Sequence, residues 1–356
     1  MLQKSLNPLF SMLLLIIWGC SQQQDLQKYV QAKVAEIEEK YEAHKNMAAQ
    51  EFREGKDNME NAKLCLEKNL WLAALHFSEV GEKYIDYAVR TEMAKANKEN
   101  IEFFQDYWNE QKSKFENMLS RYQKSRNRQG NGFLRAMADL KAFAAKRYFE
   151  SGKHWLEIPN PIYALIYTSR GVLQAKRAAD YSNISSDKRT ELQFNVDRLK
   201  EELRTFGEIM VDDYSGLIQT NRAAEDYISP SSQISLGEKL IENNFSFAAL
   251  IELLLAAKSY YLAQMKADKT VPGMAEYQEV KRKIDEEFTT MKDKDLSIGE
   301  FFRQMGEFYF LKYEKNKKEK DYFLNSFVIY NKVLPLFFKI IAANKIVITF
   351  VRWPFQ

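Results

Sequence analysis

Glycine and proline are both scarce, at 13 and 7 residues in a chain of 356. Those counts, roughly 4% and 2% against a usual ~7% and ~5%, leave too few turn formers for a protein of many short strands. Only Pro8 precedes Pro159, so a long stretch runs without the strongest helix breaker. Collagen-like and Pro-rich disordered chains are excluded on the same ground. Charge of one sign is lacking too: 52 basic residues face 49 acidic ones, a net +3 that gives no electrostatic argument for nucleic acid. Histidine occurs three times, at His44, His76 and His154. None sits in an H-E-x-x-H or E-x-x-H arrangement. There is no G-x-S-x-G elbow, P-loop or G-x-G-x-x-G fingerprint. Ser185 and Lys188 fit S-x-x-K formally, but its partner motifs are missing and helix capping accounts for the serines. The chain is therefore expected to have no catalytic set, no metal and no cofactor.

Apolar residues (46%) and aromatics (13%) are plentiful enough for a sizeable core. At the amino end, Lys4 precedes an apolar run from Leu9 to Trp18, too short to span a bilayer and suited to a signal-peptide core. It closes on Ile17-Trp18-Gly19-Cys20, which resembles the lipobox of bacterial lipoproteins: an aliphatic residue, two positions on a small one, then the acceptor Cys. The resemblance implies cleavage before Cys20 and lipidation of that residue. Several acyl chains would hold a folded body where one binds only marginally. Ser21 after the acceptor favours the outer membrane. Cys65 is then left without a disulfide partner or metal-ligand spacing, which predicts a buried, inert thiol. Near the carboxyl end, 333–351 has the length of a membrane span. Lys339 and Lys345, at roughly 2.5–3.5 kcal/mol each on the insertion scale, oppose that reading. The segment is expected to be a packed terminal helix followed by a short extended stretch at 346–351.

Between these ends the pattern is helical. Leu26, Val30, Val34, Ile37, Tyr41, Ala48 and Phe52 form one apolar stripe at three- and four-residue steps. A second long helical segment is predicted over Trp71–Lys124 and another over Lys188–Tyr227. Breaks are predicted at Gln129–Gly132, Pro159–Pro161, Ser185–Asp187, Ser229–Ser232 and Thr270–Gly273.

One pattern occurs three times: a small residue, an apolar or bulky one at +3, Ala at +12 and another small residue at +19. The copies are Ala62, Cys65, Ala74, Gly81; then Gly152, Trp155, Ala164, Gly171; then Gly237, Leu240, Ala249, Ala256. Each is interrupted between +3 and +12, around Asn69, Asn160 and Asn243-Asn244. Small residues at these offsets let two antiparallel helices approach closely. The spacing resembles the tetratricopeptide repeat, with small residues at its eighth, twentieth and twenty-seventh positions. Tyr148 matches that family's fourth position in the second copy. The copies begin 90 and 85 residues apart, where that family's repeats adjoin, so other long helices intervene. Any antiparallel helix pair favours small residues at its crossing, and generic packing fits the pattern as well. A fourth hairpin, about Ile298–Lys318 and Tyr322–Ala342, lacks the pattern.

The expected fold is all-α: antiparallel hairpins stacked as a solenoid similar to tetratricopeptide repeats, or as an elongated bundle. Its organisation is a signal segment at 1–19, a polar tether at 20–24, and a first repeat with long helices over 25–129. A second repeat follows over 130–228, a third with the terminal hairpin over 229–343, and an extended tail over 344–356. Aromatic side chains crowd two regions, one from Trp71 through Tyr84, Tyr87 and Phe104 to Trp108, the other from Phe301 to Tyr313. Core packing accounts for most of them, and a groove of aromatic anchors is the functional alternative. The expected function is a non-enzymatic, membrane-anchored scaffold or adaptor for a protein partner in the bacterial cell envelope. The alternative is a lipid- or ligand-binding accessory lipoprotein, similar to the T component of TRAP transporters.

Overall fold

The computed structural model describes residues 8–47, 50–158, 160–184, 195–217, 223–269 and 271–342, and every regular element among them is helical. Side chains are described from Leu26 onward, apart from those at 211–228 and 342. The short strand expected at 346–351, the tail to Gln356 and the Ser185–Asp187 helix start lie outside the described residues.

The chain divides into two units, Met1–Thr190 and Glu191–Gln356. The first holds α1 (Pro8–Ala43), α2 (Gln50–Glu67), α3 (Trp71–Ala96), α4 (Ile101–Ser125), a 3₁₀ turn (Arg126–Arg128), α5 (Gly132–Glu157) and α6 (Pro161–Asn183). Helices α2 and α3 form one hairpin, α5 and α6 another, and α3 packs on α6. Helix α1 lies on α3 through Val30, Val34 and Ile37, and α4 lies on α6. The second unit holds α7 (Val196–Leu217), α8 (Ala223–Glu242), α9 (Ser246–Ala267), α10 (Met274–Thr290), α11 (Ser297–Lys315) and α12 (Lys320–Val328). From α12 the chain continues through a π turn (Ile329–Val333) into α13 (Leu334–Ala342). Here α8 and α9 form the hairpin, α7 packs on both, and α11 returns along α12.

The three sequence copies share their helix ends and two turn hydrogen bonds; the position equivalent to Asn69, Pro159 in the second copy, lies outside the described residues. Their first helices end at Glu67, Glu157 and Glu242, each five residues past the copy's first small residue, and their second helices begin at Trp71, Pro161 and Ser246, each nine past it. In every copy the backbone N–H eight residues past that start donates to the carbonyl at +3: Leu70 to Cys65 (2.8 Å), Asn160 to Trp155 (3.4 Å) and Phe245 to Leu240 (2.8 Å). The Ala at +12 then donates back to the +8 carbonyl in all three. Asn69 and Asn244 take positive φ, 58° and 59°. That is the left-handed residue that closes a Schellman cap, and Asn accepts it more readily than most side chains. The apolar residue at +3 thus has a second duty, since its carbonyl anchors the turn.

Three local expectations change. The first stripe is two helices: α1 stops at Ala43, and Phe52 belongs to α2, where its ring stacks on Tyr41 at 4.9 Å. The segment Trp71–Lys124 is also two helices. Asn97 donates its side chain to the Met93 carbonyl, and Asn100 caps α4 by accepting from the Phe103 N–H (3.1 Å). No break occurs at Ser229–Ser232: α8 runs through it with Pro230 inside the helix. The prediction of one helix over Lys188–Tyr227 takes in α7 and the first turn of α8, and its stretches 188–194 and 218–222 lie outside the described residues.

Among the described residues, two helical runs are long and apolar enough to cross a membrane, Ser246–Ala267 and Lys320–Ile341, and both are two-thirds buried within the fold. In the second, Pro335 follows the π turn, where the Leu334 N–H reaches back five residues to the Ile329 carbonyl. This wider turn eases the accommodation of a residue with no N–H to offer. Lys339 leaves the apolar face to pair with Glu202 at 2.9 Å.

Candidate functional site

The residues singled out by the repeat fall at the helix crossings. Ala62, Cys65, Ala74, Gly81, Gly152, Ala164, Gly171, Gly237, Leu240, Ala249 and Ala256 are buried, and Trp155 is half-buried. The crossings differ in tightness. A Cβ on Gly171 would lie 2.8 Å from the Phe149 nitrogen, and one on Gly152 would lie 2.8 Å from the Thr168 nitrogen, so backbone meets backbone there. In the first hairpin Gly81 faces Gly55, which the pattern did not include. In the third, a Cβ on Gly237 would lie 3.0 Å from a Leu203 methyl, with the nearest backbone atom, the Ala249 carbonyl oxygen, at an ordinary 3.7 Å. The terminal hairpin is notched differently: Gly299 and Gly306 make room for the Phe337 and Tyr330 rings. Cys20 lies within α1, and its side chain is outside the described set. Cys65 is a buried thiol that forms no disulfide among the described residues.

Periodicity did not single out the ionic cluster that joins α1, α3, α5 and α6. Arg177, from α6, donates to the Glu82 carboxylate (2.8 Å) and the Glu79 carbonyl (2.9 Å). Lys141 pairs with Glu79 at 2.8 Å, and the Tyr181 hydroxyl donates to the same carboxylate. Lys33 and Lys40 of α1 reach Glu82 at 3.0 and 2.7 Å. Burial pushes the Glu82 carboxyl up, yet Arg177, Lys33 and Lys40 outweigh it and hold that group well below the usual carboxylate range. Glu36 behaves alike: against burial, Lys33, Lys40 and Lys176 bring it down to about 2. A second lock lies nearby, where Asp139 accepts from Tyr122 (2.5 Å) and from two Arg126 nitrogens (2.7 and 3.1 Å).

Beside this cluster a cleft of about 290 Å³ opens between α3 and α6, with Glu51 of α2 at its edge. Its walls are Tyr84 and Tyr87 from α3, and Tyr163, Ile166 and Tyr167 from α6; its cations are Lys83 and Arg170. The Arg170 guanidinium lies 4.9 Å from the Tyr87 ring centre and 6.0 Å from that of Tyr148. Tyr163 is 44% exposed and continues an aromatic ladder, with Trp155 at 5.2 Å and Tyr167 at 6.3 Å. Of the amino-terminal aromatic cluster, Tyr84 and Tyr87 face this cleft, whereas Phe77 and Phe104 are core. Tyr163 and Tyr167 are the residues sequence reasoning missed. Their four-residue spacing, continuing to Arg170, is the signal that marks the face.

Histidine chemistry does not gather anywhere in the described fold. His154 is exposed in the last turn of α5, and His76 is half-buried against Phe77. Among the described residues no three His, Cys, Asp or Glu side chains form a metal-holding group. A larger hollow along α10 is rimmed by Lys281, Arg282, Asp285 and Glu286, but Lys281 and Arg282 are ion-paired with Glu307, Glu279 and Glu286. No protein-family model matches the chain, and no curated protein or solved structure matches it either.

Proposed function

We propose that this chain is a non-enzymatic lipoprotein of a bacterial cell envelope, anchored at Cys20, whose helical hairpins hold a protein partner at the α3–α6 cleft. The observation that carries the reading is the cleft itself. It is an open tyrosine-lined surface on a rigid pair of hairpins, the arrangement in which aromatic anchors of a partner are bound. The turn hydrogen bonds repeated in three copies support a divergent tetratricopeptide-like origin for the hairpins. The lipobox motif supports the anchor at Cys20, and Ser21 after it supports an outer-membrane location. The cleft's small volume favours a second reading, an accessory lipoprotein that binds a small ligand for a transport system.

The anchor is tested by a Cys20→Ala chain expressed at native level. Loss of fatty-acid labelling and release from the membrane fraction are expected; retained labelling contradicts the anchor. The scaffold is tested by purification from detergent-solubilised membranes. The reading expects a partner whose recovery falls when Tyr163 and Tyr167 are changed to Ala. Recovery of the chain alone contradicts it.

A further inference from the structure

Charges around the α3–α6 contact are paired almost throughout. Arg177 and Lys141 meet Glu79, Lys33 and Lys40 meet Glu82, and Arg90 meets Asp86 with Ser169 bridging. Two cations break the rule. Neither Lys83 nor Arg170 has a carboxylate within ion-pair distance among the described residues, and the Arg170 Nε is shielded from water with no acceptor. The low-polarity surroundings of Lys83, and then the Arg170, Lys141 and Arg177 charges, hold its ammonium below the usual lysine range.

The contact of Arg170 with two tyrosine rings says what kind of anion suits it. A guanidinium keeps its donors in its own plane, where a planar carboxylate accepts two parallel hydrogen bonds while the rings lie alongside. The tyrosines alongside offer ring faces and edges to a flat apolar body. Negative charge borders the cleft as well, since Glu51 lines it and Glu54 hydrogen-bonds the Tyr84 hydroxyl. A polyanion would meet those carboxylates, whereas a monoanion turned toward Arg170 avoids them. At about 290 Å³ the space suits a single ring-bearing acid.

We propose that this cleft binds a carboxylate carried on an aromatic body, with Arg170 and Lys83 holding the carboxylate and Tyr87, Tyr163 and Tyr167 holding the ring. The proposal rests on the cleft being the working surface of the protein. It deepens that reading by naming the ligand chemistry, which a free aromatic acid and an aromatic carboxyl-terminal residue of a peptide share.

Calorimetric titration of the purified full chain tests it. The probes are N-acetyl-phenylalanine, its amide, and the peptide Gly-Gly-Gly-Phe with a free or an amidated carboxyl end. The free-carboxylate probes are expected to bind, and the amides at least about tenfold more weakly, the usual scale of a charge-assisted contact. Tighter binding of the peptide assigns the chain end as the source, and binding of the small acid alone assigns a free metabolite; either supports the proposal. Arg170→Gln should abolish the preference for acid over amide. Lys83→Gln, at an exposed side chain that leaves the fold intact, should weaken the acid about three- to tenfold. Glu51→Gln should tighten it about two- to fivefold by removing a like charge. Equal affinity for acid and amide, or no binding of any probe at millimolar concentration, overturns the proposal. Those results leave the Cys20 labelling and membrane-recovery tests standing, so the two readings fail separately.

Discussion

The two units solve the same packing problem with opposite chemistry. Each contains a hairpin closed by the same Asn-centred turn, Asn69 in one and Asn244 in the other. Around that shared element, the first unit buries Lys33, Glu79, Glu82, Asp139 and Arg177, whereas the terminal hairpin in the second buries rings such as Phe302, Phe308, Phe327, Tyr330 and Phe337 among aliphatic side chains and, among the described residues, no charged one. Rings fill space without demanding partners. Buried charges demand nearly complete pairing, and replacing a whole buried pair by apolar residues is often neutral or stabilising. The ionic core of the first unit is thus not explained by stability alone. It ties α1, α5 and α6 to α3, which with α6 forms the wall of the cleft.

The largest expected effect breaks that contrast at Arg177. Arg177→Met leaves Glu79 and Glu82 short of a buried partner and should cost about 3–5 kcal/mol. Hydrogen exchange would show the loss across α1, α3 and α6, with α9 and α11 unchanged. Next come the glycine crossings. Gly171→Ala places a methyl against the Phe149 backbone and should destabilise the first unit by about 1–3 kcal/mol. Gly237→Ala crowds only the end of Leu203, and the gain in helix propensity of up to about 1 kcal/mol offsets it, so thermal denaturation should find it near neutral.

Acid sharpens the contrast further. Glu79 and Glu82 are held below their ordinary values against the opposing effect of burial, chiefly by Lys141 and Arg177 for the first and by Arg177, Lys33 and Lys40 for the second. Their stabilisation is complete above the unfolded value near pH 4.5 and is lost as pH falls through the lower folded values. Glu36, at about 2, follows the same course. In the second unit Glu279 is also brought down to about 2, by its hydrogen bond with Arg282, but on the open surface. Between about pH 4.5 and 2, exchange should accelerate first in α1 and α3, and added salt should matter more to the α10 surface pair than to the buried cluster. A smaller effect than that of Arg177 tests what the units share. Asn69→Ala and Asn244→Ala should each cost about 1 kcal/mol, alike in both, because each removes the short polar side chain that makes the left-handed region tolerable.

Much of this was legible along the chain because helix and turn are local. The +3, +12 and +19 spacing located the three hairpins, since small residues and Asn act on neighbours within one turn. Pro159 and Pro161 marked a boundary because Pro161 sits in the first turn of α6, where its missing N–H costs nothing. Pro230 misled for the complementary reason: its neighbours alone do not reveal that α8 continues through it. The ionic cluster was illegible because Glu79 and Glu82 meet Arg177 from nearly a hundred residues away. In the sequence they read as solvated charge. The cleft was half legible: Tyr84 and Tyr87 stood in an aromatic cluster, but only the α3–α6 contact brings Tyr163, Tyr167 and Arg170 to them.

The central claim, that the α3–α6 cleft is the working surface of an envelope-anchored protein, is tested most directly by photo-crosslinking in intact cells. A photoreactive side chain is placed at Tyr163, at the cleft, or at Ile209, an exposed apolar position in the second unit. The account predicts a discrete adduct from Tyr163 that disappears in the Arg170→Gln background, and none of that identity from Ile209. The same adduct from both positions, or an adduct at Tyr163 indifferent to Arg170, would contradict it.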